Sequence, residues 1–324
     1  MNGKTGIPCA LACALAIWLS GPRPAPSAEA AQATPIDIQM KNVTFRIASD
    51  IALEIRTLRG ELRRTRPDVP VTFDDGSSFD VDVDTAEVAM TPAALSALMN
   101  SYVLAYEGSP IKNVSVSIEG GRLVQKGTVH KGVDLPFEIV GALSTTPDGE
   151  IRMHADKIKA AHLPVKGLLH VFGEDLSKLV NANAGRGMKL DGDNIILDPR
   201  KLTPPPHLNG RVTRVAIAGG KVVQYFDAGR HLAALKPPVA APGYIYHRNG
   251  VLRFGKLTMI DADLEIVGDR PGPFEFFQRE YKKQLVAGYS KNTPTNGLVA
   301  HMVDYSRFRA QPANRRATGG SSTR

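Results

Sequence analysis

One ten-residue phrase occurs twice in the sequence. VSIEGGRLVQ runs from Val116 to Gln125, and ninety-nine positions later the chain returns to VAIAGGKVVQ, from Val215 to Gln224. In both copies a pair of glycines separates two runs that mix apolar and polar residues. Because paired glycines supply the positive φ angles of a two-residue turn, each copy predicts an antiparallel β-hairpin. A chain that repeats such a hairpin is expected to build much of its core from β-sheet.

The same alternation extends through much of the chain. Residues 36–90 place apolar and polar side chains alternately, at the period of a half-buried strand. Residues 114–158 repeat the pattern in four runs that are separated by turn residues, which predicts an antiparallel meander. We expect one face of the sheet to be apolar and the other to be exposed to solvent.

Two segments have the period of an amphipathic helix. Thr91 suits the N-cap and Pro92 the first helical position of the first segment. Its apolar stripe contains Leu95, Leu98, Met99, Tyr102, Val103 and Tyr106. The second segment begins near Leu163, and Gly173 is expected to kink it or to split it in two. The sequence thus predicts an α+β fold in which a curved antiparallel sheet packs on two amphipathic helices and leaves a long apolar seam.

The first thirty residues have the composition of a secretory signal peptide. Lys4 gives a weakly positive start, residues 7–19 are apolar, and small residues follow as a cleavage site. An uncleaved anchor is the alternative, although thirteen apolar residues are short for a span of about twenty. Both cysteines, Cys9 and Cys13, lie in this segment, so the mature chain would have no thiol. These features predict export to the periplasm or the cell envelope.

Composition also divides the rest of the chain. A proline- and alanine-rich run at 227–243 is typical of a semi-rigid linker. It separates a β/α domain at 34–226 from a smaller β-rich section at 244–309, which contains a hairpin and one amphipathic helix. Residues 310–324 have the composition of a disordered tail. Whether the section at 244–309 is an independent domain or an extension of the first sheet stays open.

The chain is basic, with a net charge of +8 at pH 7 that falls to +7 without the signal segment. A positive balance suits an anionic membrane surface or a polyanion, and it also suits simple solubility. A nucleic-acid partner is disfavoured, because the chain has one tryptophan and no basic run with interleaved aromatic residues.

No catalytic motif stands out in the sequence. It contains no nucleophile elbow, no HExxH pair and no phosphate-binding glycine loop. Asp80, Asp82 and Asp84 alternate along one strand and are interpreted as a solvated face, while Asp191 and Asp193 are interpreted as a turn. The eight histidines are scattered without metal-ligand spacing. We therefore predict no enzyme activity, no metal and no cofactor, and a hydrolase or transferase built on these carboxylates is the least favoured hypothesis.

Four motifs lie in the segment from about Val43 to Phe226: VSIEGGRLVQKG, LPFEIVGALS, PDGEIRMHADKIKAAHLPVKGLLHVFG and LTPPPHLNGRVTRVAIAGGKVVQYF. On these motifs the segment resembles the LmeA-like phospholipid-binding proteins of bacterial envelopes, which are similar to tubular lipid-binding proteins of the bactericidal/permeability-increasing type. It covers somewhat over half of the chain and includes no catalytic signature. It implies an elongated apolar groove or tube that holds a phospholipid, or another acyl lipid, by its acyl chains.

The two helices and the meander provide candidate lipid-binding residues, for each of which core packing is the alternative. They are Leu95, Leu98, Met99, Tyr102, Val116, Ile118, Leu135, Phe137, Ile139, Leu168, Leu169, Phe172 and Leu176. A predicted helix at 274–285 adds a weaker membrane-docking candidate or, alternatively, a cap on a sheet edge. Its residues are Phe274, Phe277, Arg279, Lys282 and Lys283.

Two functions therefore remain in competition. One is the non-enzymatic binding or transfer of phospholipid, or another acyl lipid, in the bacterial envelope. The other is a structural or interaction module with a closed core, which binds a protein or glycan partner. The sequence identifies neither the lipid, nor the direction of transfer, nor the oligomeric state.

Overall fold

The computed structural model describes residues 34–182, 186–239 and 241–310, so the predicted signal peptide and the predicted tail beyond residue 310 lie outside it. Within these residues the chain forms twenty-one strands and four α-helices. The strands are β1 (Ile36–Arg46), β2 (Ala52–Arg64), β3 (Val71–Thr72), β4 (Phe79–Met90), β5 (Ile111–Glu119), β6 (Arg122–His130), β7 (Asp134–Thr145), β8 (Ile151–Ala160), β9 (Leu163–Pro164), β10 (Met188–Asp191), β11 (Asn194–Leu197), β12 (Leu208–Asn209), β13 (Val212–Ala218), β14 (Lys221–Asp227), β15 (Tyr244–Arg248), β16 (Val251–Phe254), β17 (Leu257–Ile260), β18 (Asp263–Gly268), β19 (Phe274–Phe277), β20 (Tyr289–Asn292) and β21 (Leu298–Met302). The predicted α+β class with mainly antiparallel sheet is confirmed.

Three helices lie between groups of strands, and the fourth follows the last described strand. They are α1 (Pro92–Leu98), α2 (Leu168–Ala182), α3 (Tyr281–Val286) and α4 (Tyr305–Ala310). No helix in the described part of the chain is long and apolar enough to cross a membrane.

Helix α1 begins as predicted. The Oγ1 atom of Thr91 accepts a hydrogen bond from the backbone N–H of Ala94 at 3.2 Å, and Pro92 occupies the first turn. The helix continues through a π-helical turn at Met99–Val103 and ends there, before Tyr106.

Helix α2 confirms one prediction and corrects another. Gly173 has a φ of 71° and divides the helix in two. The helix begins at Leu168 rather than near Leu163, because proline at 164 disfavours helical geometry for the residue before it. Gly167, with a φ of 83°, then takes a left-handed conformation directly before the first helical residue.

The first sheet contains eleven strands. Nine follow one another in the order β13-β14-β4-β2-β1-β15-β18-β21-β20, while β12 pairs with β4 and β19 pairs with β1. The register of β1 and β15 places Lys41 opposite Tyr244. Strands β15, β18, β21 and β20 therefore extend the sheet that β1, β2 and β4 begin. The division of the chain at 227–243 stays a prediction, but strand pairing runs across it.

The second sheet contains the predicted meander. Its order is β10-β11-β8-β7-β6-β5, with β9 paired to β8. Helix α1 packs on β5, helix α2 packs on β8 and β10, and β13 of the first sheet lies against β7. Buried apolar residues of both sheets belong to one continuous core cluster. We call the face of the first sheet that joins this cluster its inner face.

A third sheet of three strands, in the order β17-β16-β3, extends the core at one side of the molecule. Its centre is aromatic. The ring of Phe73 lies 5.1 to 5.7 Å from the rings of Phe254, Phe276 and Tyr281, in edge-on orientations. Such tilted contacts are favourable beyond the area that they bury.

The segment predicted as a linker crosses the outer face of the first sheet. We call residues 228–239 the strap. Along its length the strap meets side chains from β4, β2, β1 and β18, in the order in which these strands lie in the sheet. The residues that bind it are Asp84, Arg59, Gln39 and Glu265.

Each of these side chains bonds to backbone of the strap. The Asp84 carboxylate accepts from the N–H groups of Arg230 and Leu232 at 3.1 and 2.7 Å. Gln39 exchanges two hydrogen bonds with the backbone of Leu235, and Glu265 accepts from Val239 at 2.7 Å. The strap has no regular secondary structure, so these side chains supply the partners that a sheet or helix would otherwise provide.

Candidate functional site

The repeated phrase forms two hairpins with one geometry. Val116 lies opposite Gln125 in the first hairpin, and Val215 lies opposite Gln224 in the second. The glycine pairs at both turns have φ angles between 56° and 75°, as a tight hairpin requires. One hairpin is at an edge of the second sheet, and the other lies at the end of the first sheet.

Equivalent positions of the two hairpins meet at one cavity. Leu123 of the first copy and Val222 of the second occupy the same place in the phrase, and both line an apolar cavity of about 60 Å³ between the sheets. The whole lining consists of Leu53, Val88, Met90, Leu95, Leu98, Leu123, Leu143, Ile151, Leu197, Pro199, Leu202, Thr203, Leu208, Val222, Gln224 and Phe226. A cavity of this size is well below the roughly 300 Å³ at which ligand pockets begin.

Two of the predicted lipid-binding residues, Leu95 and Leu98, line this cavity. Met99, Phe137 and Phe172 instead line a second cavity of about 20 Å³, where the two phenylalanine rings lie 5.7 Å apart. The predicted seam is thus an interior with two small cavities.

The other predicted lining residues divide between core and surface. Val116, Ile139 and Leu168 are buried in the core cluster. Tyr102, Ile118, Leu135 and Leu176 are partly buried and pack against that cluster. Leu169 is 55% exposed and lies outside the cluster, because its neighbour Leu168 already occupies the inward position of the first helical turn.

Sequence reasoning missed the wall that the first sheet contributes. Leu53, Val88 and Met90 come from β2 and β4, and they line the larger cavity directly. The signal was present, because the alternation of residues 79–90 already put Val88 and Met90 on one apolar face. What the sequence did not show is that this face lies opposite the meander.

One polar atom is isolated at the larger cavity. The Oγ1 hydroxyl of Thr203 is buried and has no hydrogen-bond partner among the described residues. A buried hydroxyl without a partner is costly in an apolar surrounding, and such groups often bond to a water or a ligand. Thr203 is therefore a place on this wall where a polar group of a ligand would gain a hydrogen bond, and the amide of Gln224 is a second polar group in the lining.

The aspartates of β4 do not converge on a catalytic site. Asp80 and Asp82 both accept from the amide of Asn209 at 3.3 Å, and Asp82 also accepts from Arg63. Asp84 was predicted to be solvated, and that prediction is wrong. It is 1% exposed, because the strap covers it and bonds to both of its oxygens.

The acidic turn after β10 has a structural role. Residues 191–194 connect β10 and β11 as predicted. The Oδ1 atom of Asp193 accepts a hydrogen bond from the N–H of Leu168 at 3.1 Å, which satisfies a donor at the start of α2. Within the described residues, no group of three or more His, Cys, Asp or Glu side chains is arranged to hold a metal ion.

The C-terminal aromatic residues lie in a strand rather than in the predicted helix. Phe274 and Phe277 are buried in β19, which pairs in parallel with β1, and helix α3 begins only at Tyr281. The run of aromatic residues fits a pleated, buried strand better than a helix. Arg279 precedes the helix.

The two lysines of the same candidate lie on α3 and have acidic partners. Lys282 contacts Asp74 at 2.7 Å, and Lys283 contacts Glu280 at 2.5 Å. The structure therefore does not bring these cations together with an exposed aromatic face.

Two buried titratable groups lie on opposite faces of the first sheet. His247 packs edge-on against Phe73, and its burial lowers the pKa to about 4. Glu265 lies under the strap, and burial raises the pKa of its carboxyl above the usual value, an effect that the backbone hydrogen bonds from the strap oppose. One oxygen of Glu265 accepts from Val239, and the other has no partner among the described residues.

Comparison with known proteins adds no relative to this description. No protein-family model matches the chain, and no curated protein and no solved structure is significantly similar to it. The resemblance to LmeA-like proteins therefore stays a prediction from the sequence motifs.

Proposed function

We propose that the chain is a non-enzymatic lipid-binding protein of the cell envelope, which holds acyl chains between its two sheets. The observation that carries the proposal is the larger cavity. Its wall is almost wholly aliphatic, it is supplied by both sheets and α1, and it includes the unpartnered hydroxyl of Thr203. A mainly aliphatic wall that includes the Thr203 hydroxyl and the Gln224 amide suits an acyl chain that ends in an ester or acid group.

The proposal requires the sheets to separate, because about 60 Å³ does not admit an acyl chain. The contacts across the cavity are apolar, and apolar contacts have no preferred direction, so they re-form around another apolar surface. Burying a sixteen-carbon chain from water is worth about 12 kcal/mol, at about 0.8 kcal/mol per methylene. Since the same chain is already buried in a bilayer, extraction would be close to neutral, which favours binding or transfer over consumption.

The direct test is mass spectrometry of the lipid that accompanies the chain when it is purified from its envelope fraction without detergent. We expect phospholipid or another acyl lipid at about one molecule per chain. The variant Val222→Phe places a ring in the larger cavity and is expected to lower that ratio. Leu257→Phe is the matched control, because it introduces the same ring at an exposed position of β17, far from residue 222 in the sequence. If the folded wild-type protein shows only the mass of the lipid-free chain, the proposal is wrong.

A second function is favoured by the close packing of the interior. If the two cavities are ordinary packing defects, the chain is an envelope module with a closed core that binds a protein or glycan partner. Filling a defect commonly stabilises a protein by about 0.5–2 kcal/mol. Val222→Ile would then raise the melting temperature while the preparation contains no lipid, whereas a lipid-binding seam predicts lipid in the wild type and less of it in the filled variants.

A further inference from the structure

Three exposed aliphatic side chains lie at one end of the second sheet. Val133 is 62% exposed, Leu163 is 68% exposed and Leu169 is 55% exposed. They come from three different segments: the turn between β6 and β7, strand β9, and the first turn of α2. Single exposed aliphatic residues are common, but three on converging segments call for an explanation.

Contacts between the segments place them together. The N–H of Ala161, just after β8, donates to the carbonyl of Pro136 at the start of β7. Lys131, in the β6–β7 turn, extends its Nζ atom to within 3.4 Å of the carbonyl of His170 in α2. Leu163 pairs with Ala160 at the end of β8. We call residues 130–134 and 157–173 the tip.

The tip is strongly basic. It contains Lys131, Lys157, Lys159 and Lys166 against one acidic residue, Asp134, although Lys159 contacts Glu138 of β7 at 3.0 Å. Asp134 is already engaged, since its carboxylate lies 2.8 Å from the Nδ1 atom of His130. The tip thus combines protruding aliphatic side chains with an excess of positive charge.

We propose that the tip docks on an anionic lipid bilayer, an inference that rests on the proposed function and adds its partner surface. Charge complementarity argues for this occupant, because lysines near an anionic membrane surface are attracted to it while aliphatic side chains enter the headgroup region. The aliphatic residues come from three separate segments and protrude from each of them, so they fit a soft lipid surface better than a shaped protein partner.

The tip is also joined to the candidate lipid site. In the short first half of α2, Leu169 faces outward at the tip, whereas Phe172 faces inward and lines the smaller cavity. Gly173 then breaks the helix directly after Phe172. Docking would therefore place the bilayer against the outer side of the first half of α2, whose inner side lines the smaller cavity.

Another part of the molecule provides a matched control. Val286 on α3 is 86% exposed and Ile260 on β17 is 54% exposed, so the C-terminal section also carries exposed aliphatic side chains, and α3 carries lysines beside one of them. The lysines of α3 are paired, Lys282 with Asp74 and Lys283 with Glu280, whereas among the described residues only one of the four tip lysines, Lys159, has an ion pair.

The test is flotation of the chain with phosphatidylcholine vesicles that contain or lack about 30% phosphatidylglycerol, which imitates an anionic leaflet. We expect binding to the anionic vesicles, weaker binding at high salt, and a roughly tenfold loss for the double variant Leu163→Asp, Leu169→Asp. The double variant Val286→Asp, Ile260→Asp is expected to bind like the wild type. Lys131→Glu with Lys166→Glu tests the charge separately and is expected to weaken binding in the same direction.

The outcomes separate this inference from the proposed function. Equal losses for the tip and control variants, or equal binding to neutral and anionic vesicles, would overturn the inference. The proposed function would survive that result if lipid still accompanied the purified chain. Conversely, if the tip variants alone lose vesicle binding while the purified protein contains no lipid, the result would support docking by the tip and contradict lipid binding between the sheets. Circular dichroism of each variant is the control that its fold is intact.

Discussion

The two faces of the first sheet are covered in opposite ways. The inner face meets the second sheet through aliphatic side chains that belong to one core cluster. The outer face is crossed by the strap, whose backbone N–H groups donate hydrogen bonds to Asp84, Gln39 and Glu265. Only a small apolar group, centred on Tyr244 and Tyr246, lies beneath it.

The two faces differ in whether the contacts that cover them are directional. A hydrogen bond fixes the position of its partner, whereas an apolar contact depends mainly on the area removed from water. The strap is therefore fixed at defined points, while the inner face tolerates rearrangement more readily. If any part of the molecule opens for a ligand, we expect it to be the inner face, and three measurements would sharpen or break this contrast.

The largest effect is expected on the inner face. Leu53→Ala enlarges the existing cavity, and we expect it to lower the free energy of unfolding by about 4 kcal/mol, in the upper part of the range for buried leucines. Urea denaturation measures this change. Leu257→Ala, at an exposed position, is the control and is expected to cost less than about 0.5 kcal/mol. A cost below about 1 kcal/mol for Leu53→Ala would mean that the inner face contributes little to stability.

The next effect distinguishes the faces by pH. His247, on the inner side, has its pKa lowered from 6.5 to about 4, so the unfolded chain takes up the proton first on acidification. Its stabilising contribution is fully present above pH 6.5 and is lost as the pH falls towards 4, by about 3 kcal/mol in total. Glu265, under the strap, acts in the opposite direction, because its raised pKa makes its contribution largest at low pH and smaller as the pH rises.

Urea denaturation between pH 4 and 7 tests the contribution of His247. The variant His247→Phe keeps an aromatic ring beside Phe73 but has no group to protonate. We expect its stability to fall about 3 kcal/mol less than that of the wild type over this interval. Parallel curves for the two proteins would show that burial does not shift the histidine.

The smallest effect concerns the strap. Asp84→Asn replaces one accepting oxygen by an amide donor, so one of the N–H groups of Arg230 and Leu232 loses its partner. We expect a loss of about 2 kcal/mol and faster exchange of both amide protons. Asp82→Asn, on the same strand but only partly buried, is the control. Equal exchange rates in the wild type and in Asp84→Asn would contradict the assigned role of the carboxylate.

The parts of the fold that the sequence predicted correctly depend on local chemistry. The glycine pairs determined both hairpin turns, Thr91 and Pro92 determined the start of α1, and Gly173 divided α2. Each of these features arises within a few residues along the chain, so its signal is contained in a short window.

The strap and the strand order depend on partners far apart in sequence. A proline-rich segment has the same composition whether it is a free linker or a strap, and only the burial of Asp84 and Glu265 beneath it makes the difference. The buried strand at Phe274 was mistaken for helix because its pairing partner, β1, lies more than two hundred residues away. For the candidate site, the α1 residues were predicted, whereas the wall from Leu53 and Val88 required knowledge of which faces meet.

The position of β1 has a consequence for the order in which the molecule is assembled. It pairs with β2 along its whole length as soon as β2 is made, but its other edge stays open until Tyr244 and the following residues have been synthesised. At about 5–20 residues per second this delay is on the order of 10–40 s. During that interval the nascent chain presents an unpaired strand edge to its neighbours, which is a template for misassembly. Shielding of this edge during biosynthesis is therefore expected to raise the yield of folded protein.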